Sequence, residues 1–115
     1  MMLRRAGRTF ATAAIPAATT KFLLSYDYVA DILEKRAPHR PAHVERALAE
    51  VAAGRLEQAG AVGDADDDAP SGALFVFTTD STKPVEAFVR SDPYYIHGLV
   101  PSYSIQEWTV VVKSA

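Results

Sequence analysis

Three observations predict a single α+β domain built as strand–helix–strand, then strand–helix–strand. Apolar residues recur at helical spacing between strand-like segments, Val44–Ala47–Leu48–Val51–Ala52 in the first half and Val85–Phe88–Val89 in the second. Three segments carry the aliphatic and aromatic density of strands: KFLLSYDY, GALFVFTT and YSIQEWTVVVK. A turn rich in Asp, Gly and Pro, GDADDDAPSG, divides the halves. At 115 residues and with no sequence repeat, the chain has room for one conventional core.

The first strand is predicted over residues 21–28. A helical turn follows within residues 29–36, and Pro38 and Pro41 then punctuate the chain. Pro41 suits the first position of a helix whose stripe Val44, Ala47, Leu48, Val51 and Ala52 is expected to lie on the core. Gly54 suits the left-handed residue beyond its last turn. Residues 55–62 read as a second strand, weakened by Gly60. After the Asp-rich loop comes the strongest strand, residues 72–79. Ser81 then caps a helix over residues 82–90, with Pro84 in its first turn and Val85, Phe88 and Val89 facing inward. Beyond Ser91-Asp92-Pro93-Tyr94-Tyr95 the last strand is expected over residues 103–113. The order βαββαβ is the split β-α-β pattern of ferredoxin-like folds, with two right-handed crossovers placing both helices on one face of a four-stranded sheet.

That arrangement leaves the other face to account for. Ala73 to Phe77 is apolar at odd and even positions alike, and Trp108, Val110, Val111 and Val112 make the same demand. Two helices cover one face, so the sequence predicts a partner on the second: a homodimer, or a place as subunit of a larger assembly.

Composition excludes several function classes. The formal net charge of −2 gives no field for nucleic acid. Without cysteine there is no disulfide scaffold, thiolate nucleophile or Cys-ligated metal. No apolar run approaches the roughly 20 residues of a membrane span. Residues 1–20 contain Arg4, Arg5 and Arg8, many Ala and Thr, and no carboxylate before Asp27. This is the composition of an organellar targeting segment, and Arg8-Thr9-Phe10-Ala11 resembles a mitochondrial processing site. The expectation is a mitochondrial, matrix-side protein whose domain spans residues 21–115. Without residues 1–10 it holds nine Lys+Arg against 14 Asp+Glu, still less suited to nucleic acid.

The run Arg40-Pro41-Ala42-His43-Val44, the following Gly54-Arg55-Leu56 with Gly60, and the turn Asp92-Pro93-Tyr94 resemble the YciI-like (YCII-related) family, as does Leu33-Glu34-Lys35-Arg36. The resemblance covers roughly residues 22–112. It implies a ferredoxin-like protomer in a dimeric α+β barrel, similar to muconolactone-isomerase-type proteins, and a His–Asp pair in a cleft at the sheet.

His43 lies at the edge of the apolar stripe, with Arg40 on the same flank. An imidazole at a core boundary suits a general acid or base if a carboxylate orients it; it equally suits a half-buried histidine bonded to a backbone carbonyl. Asp92 before Pro93 reads as a helix cap, a role compatible with orienting His43. Asp27, near the end of the first strand, is the rival partner. Tyr94 offers a hydroxyl to the same cleft, and Arg40 a cation for an anionic oxygen.

Metal chemistry finds no support. Counting from Asp64, the sixth and twelfth positions of a calcium loop are Ala69 and Phe75, and His39 and His97 have no ligand spacing with His43. No phosphate-binding glycine loop occurs, and no cofactor is expected. Two functions of different class remain: a small cofactor-independent enzyme moving a proton on a small organic substrate, in a lyase- or isomerase-like reaction, and a non-catalytic subunit docking through its open sheet face.

Overall fold

The computed structural model describes residues 20–115; the targeting segment expected at residues 1–20 lies, but for Thr20, outside them. The elements in order are β1 (Lys21–Asp27), α1 (Ile32–Arg36), α2 (Arg40–Ala52), β2 (Leu56–Val62), β3 (Gly72–Thr78), α3 (Lys83–Ser91), α4 (Pro93–Ile96) and β4 (Ser102–Trp108). The strands form one antiparallel sheet in the order β2-β3-β1-β4. This is the ferredoxin-like α+β topology expected: each half contributes a strand to the centre and one to an edge.

Strand alternation decides what the sheet buries. In β1, Phe22, Leu24 and Tyr26 point to the helices and are buried, and Ala73, Phe75 and Phe77 of β3 join them. Against this layer lie Ile32 of α1, Val85, Phe88 and Val89 of α3, Tyr94 of α4, and Leu99 and Val100 before β4. At Gly72 the two central strands come so close that a Cβ would collide with the carbonyl oxygen of Tyr26, so only glycine fits there. The β1–β3 register, with Asp27 opposite Gly72, depends on that contact.

Helix α2 ends as its sequence predicts. Gly54 takes φ +79, its N–H bonds to Val51 O, and Arg55 N–H bonds to Glu50 O, a Schellman closure that turns the chain into β2. Its orientation differs from expectation. The stripe predicted to meet the core is largely outside: Val44, Leu48 and Val51 are 38%, 60% and 47% exposed, while His43 and Glu50 are buried. The reason is polar. Glu50 accepts from Arg46 (2.6 Å) and from Arg55 at both oxygens (2.8 and 3.0 Å), tying the helix to the start of β2. His43 bonds inward at the other end, and together the two pins set the rotation of the helix.

The last strand is shorter than predicted. It stops at Trp108, opposite Lys21 where β1 begins, and Val110 to Val112 pair with no strand among the described residues. Leu23, Leu74, Val76 and Trp108 share a shallow groove on the sheet face away from the helices.

Candidate active site

Helix α3 cannot run on into Pro93, because proline forces the preceding residue out of the helical region. Asp92 is therefore extended (φ −76, ψ 123); it closes α3 and caps α4, accepting from Tyr94 N–H at 3.0 Å. The same turn buries its carboxylate completely. A buried carboxylate needs donors in place of water, and Asp92 has two more. His43 Nδ1 lies 2.7 Å from Oδ1, and Tyr26 Oη donates to Oδ2 at 2.7 Å.

His43 reaches this carboxylate from the first turn of α2, whose start is marked by Pro41 and by the bond from His43 N–H to His39 O. Its imidazole lies flat on the Tyr94 ring, with centroids 3.7 Å apart and planes within 4°, and edge-on to Phe75 at 6.3 Å. Ring plane and ring rotation are thus both held.

Two phenols complete the site. Tyr26 is pushed far above the usual tyrosine range, first by burial and then by the adjacent Asp92 charge and hydrogen bond, so it remains an O–H donor. Tyr28 moves the same way, first by burial and then through Tyr94 and Asp92, with Arg36 and Arg40 opposing. Tyr94 has a buried hydroxyl with no hydrogen-bond partner among the described residues.

Tyr28, His43 and Tyr94 line a cleft of about 640 Å³, within the range of small-molecule sites. Arg36 and Arg40 stand on its rim, and neither forms an ion pair among the described residues. Asp64, Asp67 and Asp68 of the β2–β3 loop line it as well.

The sequence profile of the YCII-related domain matches residues 20–109. The chain belongs to the YCII-related family. The resemblance read from the Arg40–Val44, Gly54–Leu56 and Asp92–Tyr94 segments is borne out. Among solved structures, this YCII-related chain is similar to 5-chloro-2-hydroxyhydroquinone dehydrochlorinase from Burkholderia phenoliruptrix AC1100, solved in complex with 2,5-dihydroxybenzoquinone. The identity is 22%, with a TM-score of 0.65 over 77% of this chain and 93% of that one, which establishes the shared fold. Comparison with curated protein sequences gives no significant match.

Of the residues singled out in the sequence, the fold brings together His43, Asp92, Arg40 and Tyr94. It does not bring Asp27. That side chain is one position beyond Tyr26 in β1, hence on the opposite side of the strand, where it accepts from Ser102 Oγ at 2.7 Å. Sequence reasoning missed Tyr26, Tyr28 and Arg36. The available signal for Tyr26 was its place as the only hydroxyl-bearing member of the inward set Phe22–Leu24–Tyr26. Arg36 offers a weaker one, four residues before Arg40 across Pro38.

Proposed function

We propose that this YCII-related protein is a small-molecule enzyme in which His43 moves a proton, in a lyase- or isomerase-like reaction, while Asp92 holds its ring. The observation that carries the reading is the 2.7 Å contact between His43 Nδ1 and the fully buried Asp92 at the wall of a cleft. With Nδ1–H donated to Asp92, Nε2 keeps its lone pair for substrate. His43 then removes a proton from carbon next to a carbonyl, and the C–H electrons pass into an enolate. Neutral Tyr28 and the Arg36 and Arg40 cations favour the charge on that oxygen. The intermediate either regains the proton from His43 at another carbon, an isomerisation, or expels a leaving group with its bonding electrons, an elimination. The likeness to a dehydrochlorinase supports the second branch.

The test uses small halogenated hydroquinones and unsaturated lactones in deuterium oxide, with proton exchange and product formation followed by NMR. His43→Gln should lower turnover by about 10²- to 10⁴-fold while the protein still melts cooperatively. Turnover equal to wild type in that variant would remove His43 from the mechanism.

The open sheet face favours a second reading, in which the protein docks as a homodimer or as a subunit of a larger assembly. Leu74 and Trp108 stand exposed there beside Leu23 and Val76. Native mass measurement separates the two: a homodimer migrates at about 25 kDa, twice the chain mass, and a subunit with its complex. The mitochondrial address is part of the proposal and rests on the acid-free, arginine-bearing composition of residues 1–20. A fluorescent fusion of the full chain found outside mitochondria would overturn it.

A further inference from the structure

An apolar stripe on a helix ordinarily marks the face that packs. In α2 the stripe Val44–Leu48–Val51 is exposed, and all three side chains line the His43 cleft. The wall opposite is β2, where Ala59, Gly60 and Ala61 present little or no side chain. Leu56 and Phe75 also line the cleft. A strand of small residues set against a row of large aliphatic ones leaves a slot with apolar walls. Polar pins at His43 and Glu50 keep the helix from rolling its stripe into the core.

Charge enters this slot from two segments, cations from the α1–α2 turn and carboxylates from the β2–β3 loop. Arg36 and Arg40 are the cations that act on the Tyr28 hydroxyl, and no carboxylate pairs with either among the described residues. Asp64, Asp67 and Asp68 come to the same cleft on a different element, the β2–β3 loop, and not on the α1–α2 segment that carries the arginines. A ligand suited to the whole cleft is therefore an amphipathic anion larger than a single ring.

We infer that the substrate is a carboxylate or acidic phenol bearing an aryl or alkyl group, its anionic end between Arg36, Arg40 and Tyr28 and its apolar group in the slot between α2 and β2. The inference rests on the reading of this cleft as the active site and adds the substrate class. Val44, Leu48 and Val51 then set specificity without touching the reacting atoms, because they hold the part of the molecule that does not react.

The test is fluorescence titration with two probes that differ by one charge. The first is 1-anilinonaphthalene-8-sulfonate; the second is N-phenyl-1-naphthylamine, which has the same rings and no sulfonate. The full chain should bind the sulfonate at one saturable site. Leu48→Asp should weaken both probes at least tenfold. The double variant Arg36→Gln/Arg40→Gln should weaken the sulfonate at least tenfold and the neutral probe less than threefold. Leu74→Asp, on the opposite sheet face, should change neither. Sulfonate binding unaffected by Leu48→Asp, or lost in Leu74→Asp, would overturn the inference. So would a change of native mass in Leu48→Asp alone, which would make the α2 stripe a contact between copies. Two readouts on the wild type keep the two claims apart: probe binding with the expected variant pattern but no proton exchange on any substrate would remove the reaction and leave the slot, whereas proton exchange without saturable probe binding would remove the slot and leave the reaction.

Discussion

Helices α2 and α3 both reach Phe75 from the same side of the sheet, and they bury opposite kinds of residue. In α3 the apolar residues Val85, Phe88 and Val89 are fully buried and the charged Lys83 and Arg90 are outside, as amphipathic spacing predicts. In α2 the buried residues are His43 and Glu50, and the aliphatic stripe is exposed to the cleft. The difference teaches what an apolar stripe encodes: a preference for non-aqueous surroundings, which another element of the chain or a bound ligand can supply equally well. Helix α3 is held by packing, helix α2 by directed polar bonds at its two ends.

The comparison can be broken or sharpened by substitution. Phe88→Ala should have the largest effect. It removes a ring packed on Phe75 and Phe77 (5.4 and 5.5 Å) and covered by the Arg46 guanidinium, and should cost about 3–5 kcal/mol in urea unfolding. Asp92→Asn comes next, at about 2–3 kcal/mol, because one amide oxygen replaces two carboxylate oxygens before three donors. If Asp92→Asn left thermal stability unchanged, the polar pin on α2 would not be what holds it.

Glu50→Gln should cost about 1–2 kcal/mol near neutral pH, a figure kept low by the partly exposed arginines around it. Its hydrogen bonds from Arg55 and Arg46 hold the Glu50 carboxyl below its ordinary value of about 4.5, against the opposing effect of burial. An acid with a lowered folded value stabilises fully above its unfolded value and loses that contribution as pH falls through the folded one. The gap between wild type and variant should therefore be constant from neutral pH down to about 4.5 and shrink below it. A gap that widened on acidification would contradict the geometry. The smallest effect belongs to Leu48→Ala, within about 0.5 kcal/mol in the same unfolding measurement, since its side chain packs on little. A loss comparable to Phe88→Ala would show α2 to be packed as α3 is.

Most of the fold was legible because its signals are local. The aliphatic and aromatic density of β1 and β3, the Schellman glycine after α2, the Asp-Pro start of α4 and the inward face of α3 all follow from short-range rules. Two features were not. The end of β4 depends on where its neighbour β1 begins, which Val110–Val112 do not encode. The rotation of α2 depends on whether the space beside Leu48 holds protein or a cleft, and hydrophobic spacing is identical in the two cases. The site was legible in part. His43 and Asp92 come from segments that resemble the family, but choosing Asp92 over Asp27 needs the strand register, since one residue of offset reverses the face. Tyr26 resembles an ordinary core aromatic until its hydroxyl is seen on Asp92.

The Tyr94 hydroxyl, buried and without a partner among the described residues, has a practical consequence. A buried O–H without an acceptor costs a folded protein about 1–3 kcal/mol, and a guest molecule with a suitably placed oxygen removes that cost as it binds. That relief is part of the guest's binding free energy, which stabilises the folded protein through mass action. Heat resistance can therefore serve as the search instrument: compounds that raise the unfolding temperature of the wild type but not of Tyr94→Phe would be those whose oxygen meets this phenol, and a compound library could be sorted that way before any reaction is known.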